Sequence, residues 1–157
     1  MEVVSLRASQ PALPSHRARL PGSTRKEPYD PDYIAKTLSD SFEQAIAHTI
    51  AALKTEGFGV LTDIDVKETM KKKLDVDIPA YRILGACNPT LAYEALKLES
   101  HVGAMLPCNV IVRDAGNGQT EVAAIDPVAS MMAIDNSALK AAAQEVRAKL
   151  ARVIDSL

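Results

Sequence analysis

Two cysteines are the residues of this chain best placed to do chemistry, and each stands beside an asparagine and a proline. They fall in Ala86-Cys87-Asn88-Pro89 and Leu106-Pro107-Cys108-Asn109. A thiol acts as nucleophile, redox centre or metal ligand where an electropositive, partly exposed setting holds it as thiolate. Asn88 followed by Pro89 has the form of a helix start, with asparagine as the cap and proline at the first position, where its missing N–H costs nothing. Cys87 then precedes a helix N-terminus, which lowers a thiol pKa. Asp126, in Ile125-Asp126-Pro127, would oppose that shift, and His101 lies in the short link Ser100-His101-Val102-Gly103 leading toward Cys108. The candidate site is therefore Cys87, Asn88, Cys108, Asn109, His101 and Asp126, with no catalytic role assigned to any of them.

Each of these residues also has a plainer reading. Free cysteine is often a small buried hydrophobe. His101 in a loop is ordinarily solvated, and Asp126-Pro127 is ordinarily a strand terminator and turn starter. Two cysteines plus His101 supply three metal ligands, but the paired CxxC spacing is absent, so no metal is assigned. His48 has no partner nearby in sequence and reads as structural. Lys71-Lys72-Lys73 is a wet helix face before it is a phosphate site. No phosphate loop, dinucleotide fingerprint or nucleophile elbow occurs.

The elements that would position these groups follow from periodicity. Tyr33 to Leu38 alternates as a strand. Asp40 opens a helix, with Glu43 completing a capping box, and Phe42, Ile46, Thr49, Ile50 and Leu53 fall on one face. Gly57 stops it. Gly59 to Ile64 is the second strand. Asp65 and Glu68 cap a short helix bearing Val66, Met70 and Leu74. Tyr81 to Cys87 is the third strand, and the helix after Asn88 runs through Leu91, Ala95 and Leu98. Met105 to Arg113 is the fourth strand, Gly116-Asn117-Gly118 a hairpin turn, and Gln119 to Asp126 the fifth strand. Asn136 or Ser137 caps a long helix with an apolar seam at Leu139, Ala143, Val146, Leu150, Val153 and Leu157. The order β-α-β-α-β-α-β-β-α favours an α+β fold with a mostly antiparallel five-stranded sheet and helices packed against it.

Antiparallel pairing of the third and fourth strands brings Cys87 and Cys108 to one end of the sheet. Parity places both thiols on one face if the register pairs like with like. A three-residue hairpin loop sets Arg113 against Glu121, Val110 against Ala124 and Cys108 against Asp126. A two-residue Asn-Gly turn would instead shift the parity and take Asp126 off that face. The small residues of Gly57-Phe58-Gly59 enter the second strand at the same end, where they allow a backbone or a ligand to come close.

Composition bounds the rest. The chain has 157 residues, 47% of them hydrophobic, with no Trp and only two Phe, so one domain with an aliphatic core is expected. Residues 1–31 hold Pro11, Pro14, Pro21, Pro28 and Pro31 and no hydrophobic period, which reads as a disordered or loosely attached extension to a domain over 32–157. The extension is basic and the remainder acidic, with 13 basic against 19 acidic groups after residue 26. An acidic body argues against nucleic acid. The absence of a long apolar run argues against a membrane span and, with no secretory signal, leaves a cytoplasmic location as the expectation.

The combined motifs resemble domain-of-unknown-function family 302. Gly57-Phe58-Gly59, Arg82-Ile83-Leu84-Gly85-Ala86-Cys87-Asn88-Pro89, Leu106-Pro107-Cys108-Asn109-Val110 and Ile125-Asp126-Pro127 carry the resemblance, over roughly residues 32–157. It implies a TATA-binding-protein-like fold, a curved antiparallel sheet with helices packed on it, and a homodimer. It implies no activity, so no catalytic residue is transferred. Such a fold implies no DNA binding either.

Three functions compete at this level. A non-catalytic module binding a small molecule or a partner is preferred. A thiol-dependent sulfur carrier or redox enzyme using Cys87 or Cys108 is the alternative, and a dimeric scaffold is the third. No cofactor is assigned.

Overall fold

The computed structural model describes residues 32–157. The element order is β1 (Tyr33–Leu38), α1 (Phe42–Thr55), β2 (Gly59–Asp65), α2 (Val66–Leu74), β3 (Tyr81–Cys87), α3 (Pro89–Leu98), β4 (Cys108–Gly116), β5 (Gln119–Ile125), α4 (Pro127–Ser130) and α5 (Ser137–Asp155). The five strands form an open α+β sheet in the order β1-β5-β4-β3-β2, and every pairing is antiparallel. The basic, proline-rich extension expected over 1–31 lies outside the described residues.

Alternation decides which face is buried. Leu84, Ala86, Cys108, Val110, Val112, Val122 and Ala124 point to one side, where α1 and α5 cover them with Ala45, Ile46, Leu53, Leu150, Val153 and Ile154. This period-2 pattern against two period-3.6 faces is what the strand and seam readings require. The opposite face presents Ile64, Ile83, Ile111, Ala123 and Ala35 in one cross-strand row.

The termini of the helices depart from expectation in small, explicable ways. Ser41, not Asp40, caps α1, and its box partner is Gln44 rather than Glu43. Asp40 is instead engaged with His48 Nδ1 at 2.7 Å, so His48 has a partner eight residues earlier. Val102–Met105 coils into a 3-10 turn that buries Val102, and β4 accordingly begins at Cys108 rather than at Met105. The hairpin turns through two residues, Asn117 and Gly118, between the paired Gly116 and Gln119, and a bulge between Asp114 and Gly116 then restores the register expected of a three-residue loop, so that Arg113 opposes Glu121 and Val110 opposes Ala124. Asn117 and both flanking glycines have positive φ, which is why this triplet turns the chain.

Candidate functional site

A recess opens between the ends of β3 and β4, α3 and α5. Cys87, Ala86 and Cys108 form its sheet wall, Leu91, Ala92 and Ala95 come from α3, and Leu139, Ala142, Ala143 and Val146 come from α5. Phe58, Asn88, Leu106 and Met131 complete it. It measures about 440 Å³, including the part open to solvent. That is room for a slim apolar group, not for a large cofactor.

Both cysteines line this recess as free thiols, but not for the reason parity supplied. Cys108 pairs with Ala86, not with Cys87. The one-residue offset lets Leu84 and Ala86 join Val110 and Cys108 on the helix-covered face. Cys87 has the opposite parity, and it reaches the recess because it is the last residue of β3, where the chain turns into α3. Gly59 pairs with Cys87, so β2 does enter at this end, and Phe58, 3% exposed, seals the recess beside it.

Burial pushes the Cys87 thiol above its usual range. It pushes Cys108 further, up to about 11, and the neighbouring Cys87 adds to the rise. Both shifts favour the neutral thiol over the thiolate, opposite in sign to the helix-terminus effect expected from Asn88-Pro89.

Asn88 does the capping its sequence predicts. Its Oδ1 accepts from the Leu91 N–H at 3.2 Å, and its Nδ2 donates to the Glu56 carbonyl at 3.4 Å. The amide therefore ties the end of α1 to the start of α3. Gly57, at φ +82°, makes room for it: a Cβ there would stand 3.0 Å from Asn88 Nδ2. Behind the recess, a Cβ on Gly85 would collide with Thr62 Oγ1 and stand 2.8 Å from Pro107 Cγ, so this strand position accepts only glycine without rearrangement.

Three sequence candidates lie elsewhere. Asn109 is exposed, on the opposite side of the sheet and across from Gly85. His101 has a 94% exposed side chain, beside Glu99 at 3.2 Å, because the 3-10 turn after it carries Val102 inward and leaves the histidine outside. Asp126 does not oppose Cys108, since the β4–β5 ladder reaches only Val110 and Ala124 at this end. Pro127 starts α4, and Asp126 becomes its cap, accepting from Val128 and Ala129 N–H at 2.9 and 3.4 Å. Its second oxygen takes Arg147 Nε at 2.6 Å. Among the described residues no three His, Cys, Asp or Glu gather as a metal site would need, so the three-ligand reading with His101 is set aside.

The α5 and α3 walls were not anticipated as part of a site. The available signal was Ala142 and Ala143 on α5 with Ala92 and Ala95 on α3, small residues that leave space where larger ones would close it.

Comparison with known proteins places the chain. The family model described as "Domain of unknown function DUF302" matches residues 34–157. The crystal structure of an uncharacterized conserved protein DUF302 from Bacillus stearothermophilus is similar, with a TM-score of 0.75 and 30% sequence identity over 80% of this chain and 98% of that one. No curated protein matches. Among the described residues no helix is long and apolar enough to cross a membrane.

Proposed function

The chain belongs to the family described as domain of unknown function DUF302, and on that premise we propose that it is a non-catalytic module whose recess binds a small apolar ligand. The supporting observation is the lining: beyond two neutral thiols and the engaged Asn88 amide, every wall residue is apolar. Apolar concavities with few polar groups are the usual form of small-ligand sites. The thiols then act as small polarizable wall atoms. The competing thiol chemistry needs a thiolate, and the upward shift of both groups opposes it. The bound species expected is uncharged and narrow, an alkyl chain or a single ring.

Titration of the full-length protein with diphenylhexatriene, an uncharged rod one ring wide whose emission rises in apolar surroundings, tests this. Wild type should enhance the emission, and Ala142→Phe, which fills the recess from α5, should weaken binding at least tenfold with unchanged circular dichroism. Equal dye binding by the filled variant refutes the reading. A parallel alkylation with iodoacetamide should be slow in the native protein and fast in urea. Rapid native alkylation at neutral pH would replace this reading with thiol chemistry.

A further inference from the structure

The two thiols of the recess form a pair that no third ligand joins. Cys108 lies across the ladder from Ala86, and Cys87 follows Ala86 along β3. Strands ~4.8 Å apart and a rise of ~3.3 Å per residue put the two cysteine Cα atoms about 6 Å from each other. Both side chains line the same recess as free thiols, close enough that Cys87 helps to push up the Cys108 thiol. The Asn88 amide is engaged with Leu91 and Glu56, and the remaining wall is apolar, with no charged side chain. Among the described residues no three His, Cys, Asp or Glu gather in one place.

That ligand count and that wall select the chemistry. Structural zinc takes four protein ligands, and inorganic arsenic(III) takes three sulfurs. Copper(I) between two thiolates keeps a net negative charge, which an apolar wall without a cation disfavours. A trivalent arsenic that already bears one organic group needs only two sulfurs, and the product is neutral. Resting on the reading that the recess takes a narrow apolar group, we propose that Cys87 and Cys108 together bind a monosubstituted arsenic(III) compound, whose alkyl chain or single ring lies in the recess. In water such a compound is the dihydroxide R–As(OH)2. Each As–O bond is exchanged for an As–S bond, and each thiol proton leaves on the displaced hydroxide as water. Arsenic stays trivalent, and neither an oxidant nor a reductant takes part. No charge is left among the apolar walls, so the burial that opposes a thiolate leaves this equilibrium intact. An S–As–S bridge spans more than the ~2.05 Å of a disulfide bond, and a Cα separation inside the disulfide range of ~4.4–6.8 Å accommodates it.

Native mass spectrometry of the reduced full-length protein titrated with phenylarsine oxide decides it. Wild type should gain one phenylarsenic group and lose two hydrogens. Excess mercaptoethanol should leave this adduct in place, and dimercaptopropanol, which offers two thiols at once, should remove it. Cys87→Ser and Cys108→Ala should each bind at least a hundredfold more weakly with native circular dichroism. Cys87, at the end of its strand, decides the matter alone if the buried Cys108 variant misfolds. Arsenite, with no organic group and a third valence to fill, should bind at least tenfold more weakly than phenylarsine oxide. Absence of an adduct on wild type overturns the proposal, as does an adduct that mercaptoethanol strips or that Cys87→Ser retains unweakened. Diphenylhexatriene binding by wild type then leaves the recess reading standing. A two-thiol adduct on a protein that does not bind the dye refutes that reading alone and keeps the paired-thiol site.

Discussion

Cys108 and Asp126 are buried to nearly the same degree at the same end of the sheet, 6% and 4% exposed, yet their surroundings are opposite. Asp126 has spent its carboxylate: two backbone N–H groups of α4 and the Arg147 guanidinium occupy it. Cys108 faces aliphatic wall atoms, an open recess and a second neutral thiol. Burial therefore does not by itself mark a site. A buried polar group with all its bonds made is structural, whereas a weakly polar group beside unfilled space is available to a ligand. The difference traces to the element that each residue introduces. Pro127, next after Asp126, starts a helix that needs a cap, while Cys108 opens a strand that leaves its side chain free.

The sharpest break in this contrast is Asp126→Ala. It removes two cap bonds and the bond from Arg147 Nε to this carboxylate. Unfolding free energy from urea titration should fall by about 3 kcal/mol, with dye binding per folded molecule unchanged. A loss below about 0.5 kcal/mol would show the aspartate to be idle.

Alkaline pH probes the other residue. Cys108 titrates near 11 when folded against a reference of 9.0. Above pH 9 the unfolded chain releases a proton that the folded chain retains, so stability falls as pH rises. The contribution is intact below pH 9 and is lost as pH climbs through about 11, amounting to roughly 2–3 kcal/mol. Cys108→Ala should lack this decline, and its difference from wild type in urea midpoint between about pH 8 and about pH 10 measures it. Parallel pH profiles would place the thiol in water.

The smallest effect is expected at His101. Replacing this exposed side chain by alanine should shift stability by less than about 0.5 kcal/mol and leave dye binding alone. A loss of binding would extend the site into the 3-10 link.

Much of the architecture was legible from local pattern. The Asn88-Pro89 cap, the α5 seam and the hairpin depend on neighbours within a few residues, so residue type and spacing determine them. The Arg113–Glu121 pair was expected from a three-residue loop, but it forms because a bulge beyond the two-residue turn shifts the register by one. The Ser41 cap was missed by one residue because Asp40 and Ser41 are both good caps, and the choice fell to His48, two turns further along, which holds Asp40.

What the chain alone determined is therefore the five strands and four of the helices, though not α4 or the 3-10 turn, together with their apolar faces and the shared sheet end of the two thiols. Only tertiary structure decided that Cys108 lies across from Ala86, that Asp126 turns to Arg147, and that α3 and α5 leave a gap between their alanines. A register between strands is chosen by the total burial of many side chains at once, here Leu84, Ala86, Val110 and Ala124 beneath two helices. No motif around a single cysteine carries that sum, and a one-residue difference in it moves a thiol to the other face.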